Sequence, residues 1–241
     1  MTAANGRRLL IECGDAWDKI QKALDFKLAG IHSCLLSHEH KDHSKSVKDV
    51  IDAGIHVVCS SATAAEVGIR PTLAETKKWK IQESQEQFKM VHTVKAGDLI
   101  TLTDTFIVRA MSMVHDAVDP LGYRVVDTSS GDSLFFATDT SYLHLRKDPF
   151  PPQNIIAIEC NYDEKILRER VHSGEVNPHL AMRLLTSHMC KRVCLRYLKY
   201  SFDLSGCREI HLLHMSASNI DREATRREFE EQLFTKVITI Q

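Results

Sequence analysis

Three histidines and an aspartate fall within six residues, His38-Glu39-His40-Lys41-Asp42-His43, directly behind the apolar run Ile31 to Leu36. A short apolar run of this kind reads as a buried strand, so the cluster stands at a strand end. Imidazole and carboxylate are ligands for zinc, manganese and iron alike. In an extended start, His38 and His40 point the same way, because side chains alternate with a period of two. Asp42 and His43 come where the chain turns into a helix and can face a second ion. The spacing suits two neighbouring metal ions, an arrangement that clamps the oxygens of a displacement at phosphorus or carbonyl carbon. A solvated charged loop has no need of this pattern.

The rest of the chain supplies a frame for such a site. Arg8 to Gly14 reads as a buried strand into a turn, and Asp15 to Phe26 as a helix with Trp17, Ile20, Ala23 and Leu24 on one face. After the strand Ile31 to Leu36, a helix is expected over Ser44 to Ala53, ended by Gly54. A strand over Ile55 to Cys59 and a short helix over Ser61 to Val67 follow, the latter capped by Ser60-Ser61. This β-α-β-α-β-α order predicts a layered α/β domain. Residues 70 to 90 are polar and read as a partly helical surface excursion. Strands are then expected at Val91 to Val94, Leu99 to Leu102, Phe106 to Val114, Gly122 to Val126 and Ser133 to Ala137, with turn residues between them. Ile155 to Ile158 is a further strand. Helical spacing covers 163 to 170, 178 to 200 and 221 to 234, with a strand at Glu209 to Leu213 between the last two. With no repeat, linker or low-complexity tract, residues 1–241 read as one domain.

Two ions need more ligands than one run supplies. His115 ends the strand from Phe106 and is followed by Asp116. Asp139 follows Leu134 to Thr138, and His214 follows Ile210 to Leu213. Each stands at the carboxyl end of a buried strand, where open sheets place their sites.

Composition narrows the setting. The net charge of −1 gives the molecule no overall attraction to nucleic acid, so a polyanion site must be local. Such a patch lies between 164 and 208, where nine basic residues (Lys165, Arg168, Arg170, Arg183, Lys191, Arg192, Arg196, Lys199, Arg208) face four acidic ones (Glu164, Glu169, Glu175, Asp203). A solvated helix face would look the same. Arg183 and Arg192 are the candidate phosphate contacts. Seven cysteines, an odd number with no C-x-x-C pair, read as reduced thiols. Cys190 and Cys194, four apart on an expected helix, are an alternative pair of metal ligands. Met1 to Arg8 has no apolar signal-like core, and no run is long enough to span a bilayer. A cytoplasmic protein with no membrane part is expected.

The H-E-H-K-D-H run, followed in order by His115, Asp139 and His214, resembles the metallo-β-lactamase superfamily over nearly the whole chain. The resemblance implies a four-layer αββα sandwich with the site along one edge. It implies two divalent ions, one on His38, His40 and His115 and the other on Asp42, His43 and His214, with Asp139 bridging. Zinc, manganese or iron would fit. The stretches His115-Asp116-Ala117-Val118-Asp119-Pro120-Leu121-Gly122-Tyr123, Ala137-Thr138-Asp139-Thr140 and Ile158-Glu159-Cys160-Asn161-Tyr162-Asp163 are similar to the YycJ/WalJ branch. That branch implies a 5′→3′ exonuclease on DNA, in which a hydroxide between the ions attacks phosphorus. Ser187-His188-Met189 resembles a motif shared with the tRNA 3′-processing endonucleases, implying a catalytic pair of His188 and Glu159 beside Asp42. Such an imidazole, oriented by a carboxylate, supplies a proton or a positive charge to the leaving alkoxide.

The chain departs from the pattern in places. Glu12 stands where Asp is usual, and is expected to orient a metal-bound histidine. The family's usual first strand is largely missing before Arg8. The motif at His188 carries Ser187 where Gly is common and Cys190 where Ser or Thr is common. A second reading is a phosphodiesterase for a cyclic nucleotide or other small molecule, which would predict a closed pocket and a homodimer supplying a lid. A third is a non-catalytic binding module, against which the intact ligand set argues.

Overall fold

The computed structural model describes residues 1–69, 90–144 and 152–240. The polar excursion read over 70 to 90 lies, apart from Met90, outside the described residues.

Eleven strands and eight α-helices alternate through the described residues. The first part runs β1 (Arg8–Ile11), α1 (Trp17–Ala23), β2 (Ile31–Leu35), α2 (Lys41–Ser44), α3 (Val47–Asp52), β3 (His56–Cys59), α4 (Ser61–Glu66) and β4 (Val91–Thr93). Strands β1 to β4 form one sheet in that order, and every neighbouring pair is parallel. Parallel pairing follows from the crossovers, since a strand that returns in the same direction needs a helix-length connection. The helix spacing read from the sequence is used: Trp17, Ile20 and Leu24 pack against a core of Ile31, Leu36, Val50, Val57 and Ala64. Each large aliphatic side chain buried there stabilises the unit by about 1.5–3 kcal/mol. Ser60 caps α4 as expected, its Oγ accepting from the Thr63 N–H at 3.0 Å.

The second sheet has the order β11-β10-β9-β8-β7-β6-β5. Its strands are β5 (Leu99–Leu102), β6 (Phe106–Ser112), β7 (Leu121–Asp127), β8 (Ser133–Ala137), β9 (Ile155–Glu159), β10 (Glu209–Leu213) and β11 (Lys236–Thr239). Strands β5 and β6 are antiparallel, while β8, β9, β10 and β11 pair in parallel. Helices α5 (Glu164–His172), α6 (Pro178–Ser187) and α7 (Lys191–Tyr200) connect β9 to β10, and α8 (Arg222–Leu233) connects β10 to β11. No helix of the described residues is long and apolar enough to cross a membrane.

The chain divides into two compact units. One comprises residues 1–112, 117–123 and 127–131, and the other 113–116, 124–126 and 132–241.

Three elements differ from the sequence reading. The helix expected over Ser44 to Ala53 is two short helices, α2 and α3, because Ser46 leaves helical geometry and gives its N–H to Cys13 O at 2.9 Å. The continuous helix expected over 178 to 200 is broken at His188-Met189-Cys190 into α6 and α7. Backbone partners from the segment after β9 cause the break. Asn161 N–H donates to Met189 O and Lys191 N–H to Tyr162 O. Strand β11 was not anticipated; it pairs with β10 from Glu209↔Lys236 to Leu212↔Thr239.

Candidate metal centre

In the first unit the six-residue run is folded onto the exit of β1. His43 O accepts from Cys13 N–H at 2.8 Å, and Ser44 Oγ donates to Glu39 O at 2.7 Å. His38 is buried, with Nδ1 2.8 Å from Ser37 Oγ. The His38 ring lies 4.7 Å from that of His40 and 4.2 Å from that of His43, centroid to centroid. His43 Nδ1 is 3.3 Å from Glu12 Oε2, and its Nε2 is 3.7 Å from Asp42 Oδ2. Glu12 therefore touches a histidine of the run through one oxygen, while the other accepts from Ser37 N–H at 3.0 Å. Glu39 takes no part in the imidazole group: its Oε1 accepts from Val118 N–H at 2.9 Å and holds the loop after His115.

In the second unit the parallel pairing of β8, β9 and β10 sets their carboxyl ends side by side. Ala137 pairs with Ile158, and Leu213 with Glu159. The residues at those ends are Asp139, Glu159 and His214, and the break before α7 adds His188. One ligand atom from each of the four lies within 4.8 Å of the others. Asp139 and His214 adopt left-handed backbone, with φ of 45° and 53°. Non-glycine residues held in this region cost of order 1–3 kcal/mol and cluster at functional sites.

The donor chemistry around Asp139 fits a divalent ion. His115 Nδ1 is 2.9 Å from Ser187 O, which fixes the ring and makes Nε2 the nitrogen that could coordinate an ion. That Nε2 lies 3.4 Å from Asp139 Oδ2, and His214 Nε2 lies 3.5 Å from the same oxygen. Two ligands of a tetrahedral zinc, each at about 2.1 Å from the ion, stand about 3.4 Å apart. His214 is held from behind by Asn161, whose Nδ2 lies 2.9 Å from its Nδ1 and donates to its carbonyl at 2.8 Å.

Glu159 is wholly buried, and its Oε1 lies 2.6 Å from His188 Nδ1. Its Oε2 accepts from Thr140 N–H at 2.6 Å and Met189 N–H at 3.2 Å. Burial, reinforced by Asp139, pushes the Glu159 carboxyl well above the usual range, and burial pushes His188 down. The short contact holds the ring with Nδ1 turned to the carboxyl. The His188 ring stacks on that of His214 at 5.1 Å and 9°, and meets that of His115 edge-on at 4.9 Å.

Residues 7–195 match the model of the Beta-lactamase superfamily domain. The chain belongs to the metallo-β-lactamase superfamily.

Members elsewhere frame it. The exodeoxyribonuclease YycJ of Bacillus anthracis is 25% identical over 242 residues, covering 95% of this chain and 82% of that protein. Zn(2+)-bound PqqB from Methylobacterium extorquens superposes with a TM-score of 0.67 at 11% identity, covering 100% of this chain and 84% of that one. The short form of human tRNase Z superposes with a TM-score of 0.60 at 13% identity, covering 98% and 86%. The fold is the metallo-β-lactamase fold, with two sheets flanked by helices.

The second unit of this superfamily chain carries a His/carboxylate group, Asp139, Glu159, His188 and His214, suited to metal. The residues read as phosphate contacts stand differently. Arg183 Nε donates to Asp116 Oδ2 at 2.6 Å, and Arg192 makes a two-point pair with Glu164 at 2.8 and 3.0 Å, half exposed. Much of the basic stretch is neutralised from outside the window in which it was counted: Lys191 by Asp163 and Glu228, and Arg208 by Asp132. Cys190 and Cys194 join no candidate metal group among the described residues. Cys190 sits at the start of α7, and the Cys194 thiol meets that of Cys160. Asp116, Asn161 and Ser187 touch candidate ligand residues and were not singled out as site residues, although all three lie in the stretches that carry the family resemblance.

Proposed function

We propose that this superfamily member is a two-metal phosphodiester hydrolase that degrades DNA as a 5′→3′ exonuclease. In this reading His38, His40, Asp42, His43, His115, Asp139 and His214 would hold the ions. Zinc or manganese held there would supply Lewis acidity at the phosphoryl oxygens and lower the pKa of water. Asp42 would orient the attacking group.

The observation that carries the reading is the Glu159–His188 pair. A buried carboxylate 2.6 Å from His188 Nδ1 leaves Nε2 to hold the transferable proton. Stacked on the His214 ring, that imidazole stands beside the ligands, where a leaving alkoxide needs it. The exodeoxyribonuclease YycJ, similar over 95% of this chain, supports DNA as the substrate.

The test is a panel of 5′-phosphorylated duplex DNA, single-stranded DNA, precursor tRNA and cyclic nucleotides, each with manganese or zinc. Mononucleotide release from the 5′ end of DNA is expected. Turnover of precursor tRNA or cyclic nucleotides with DNA left intact would overturn the proposal.

A further inference from the structure

Asp116 is a carboxylate at the rim of the second unit's ligand group. Its Oδ1 lies 3.2 Å from His115 Nε2, the nitrogen left for an ion. Its Oδ2 accepts from Arg183 Nε at 2.6 Å. Arg183 reaches across from α6 with a side chain 57% exposed, against 39% for Asp116 and 1% for His115. The guanidinium is therefore drawn by an accessible carboxylate to the solvent side of a buried ligand. An exposed pair of this kind adds little to stability, so the fold alone gives no reason for a cation here. What the pair does supply is a planar donor fork beside a ligand imidazole, already bonded to a planar anion.

We propose that Asp116 is a built-in stand-in for a substrate phosphate: it parks Arg183 beside the ligand group until a phosphate displaces the carboxylate. The exchange is a competition between anions for one guanidinium. Asp116 carries one charge and is tethered. A phosphodiester also carries one, and gains little by displacing it. A terminal phosphate monoester carries about 1.5 to 2 charges at neutral pH and offers oxygens that match the guanidinium fork. Arg183 therefore selects chain ends bearing a phosphate monoester, and Asp116 sets the threshold. This inference rests on the phosphodiesterase reading of the site.

The experiment uses the metal-loaded full-length protein and its Arg183→Ala, Asp116→Asn and double variants. Thymidine 5′-monophosphate binding is measured by calorimetry, independent of turnover. Cleavage of oligonucleotides ending in 5′-phosphate or 5′-hydroxyl is measured alongside. Arg183→Ala is expected to weaken mononucleotide binding by about tenfold or more and to erase the preference for the 5′-phosphate. Asp116→Asn is expected to tighten mononucleotide binding and to improve the 5′-hydroxyl substrate through KM, and the double variant to behave like Arg183→Ala. Loss of an ion from Asp116→Asn would make Asp116 a ligand and overturn the proposal, as would unchanged binding in Arg183→Ala. Arg183-dependent binding in a protein that cleaves no DNA would sustain the stand-in role and sink the exonuclease reading.

Discussion

Glu12 Oε2 lies 3.3 Å from His43 Nδ1, and it reaches there from a residue whose own backbone is left-handed, with φ at 65°. Glutamate rarely adopts that conformation, so the contact is held at some strain. A carboxylate behind a metal-bound imidazole orients the ring and raises its basicity. Glu12→Ala is expected to lower metal affinity by about 10–100-fold. Glu12→Gln, which keeps an acceptor for Ser37 N–H, should lose less. Metal competition titrations check this, and wild-type affinity in Glu12→Ala would remove Glu12 from the centre.

His188→Ala is expected to slow hydrolysis by about 10²–10⁴-fold, the range for a missing general acid, with metal content unchanged. Elemental analysis beside kcat decides the matter: an ion lost with the imidazole would make His188 a ligand. Glu159→Ala should add a stability loss, because Thr140 and Met189 N–H lose their acceptor. Each buried donor left unpaired costs about 1–3 kcal/mol.

Asp139→Ala and His40→Ala are each expected to abolish hydrolysis while the chain stays folded by circular dichroism. Asp139 Oδ2 is the shared neighbour of two imidazole nitrogens, so its removal should also lower the number of ions bound. Full activity in either purified variant would contradict a two-metal centre.

Asp127 gives a pH dependence far from any metal. It is buried, which alone would raise its pKa, but four donors outweigh that: the N–H and Oγ of Ser129, Ala4 N–H and Ser130 Oγ, at 2.6 to 2.9 Å. The folded carboxyl is held well below its ordinary value of about 3.9. A depressed folded pKa stabilises above the unfolded value and loses that contribution as pH falls toward the folded one. Asp127→Asn should therefore be less stable than wild type at pH 7, with the gap narrowing below about pH 4. Urea melts at three pH values test this; a gap independent of pH would mean that the charge contributes nothing.

Most strands were legible because apolar runs and turn residues are local signals. The break at His188-Met189-Cys190 was not, because helical spacing continues through it and the hydrogen bonds that stop the helix come from Asn161 and Tyr162, about thirty residues away in sequence. Strand β11 escaped because its four residues form a strand only by pairing with β10. At the site, His38, His115, Asp139 and His214 were visible as polar residues at strand ends. Asp116 was visible only as the neighbour of His115; its bond to Arg183 spans 67 positions. Charge counted by window missed such pairs altogether, which is why the basic stretch looked more open than it is.

Gly14 has the last word on how the six-residue run is shaped. A Cβ built there would lie 1.6 Å from the carbonyl oxygen of Asp42. The chain just beyond β1 and the six-residue run thus meet main chain to main chain, with only hydrogen between them. No smaller residue exists to take up slack, and no larger one fits without pushing the run outward. This crossing has no room for a side chain, and a library randomised at position 14 should return glycine alone.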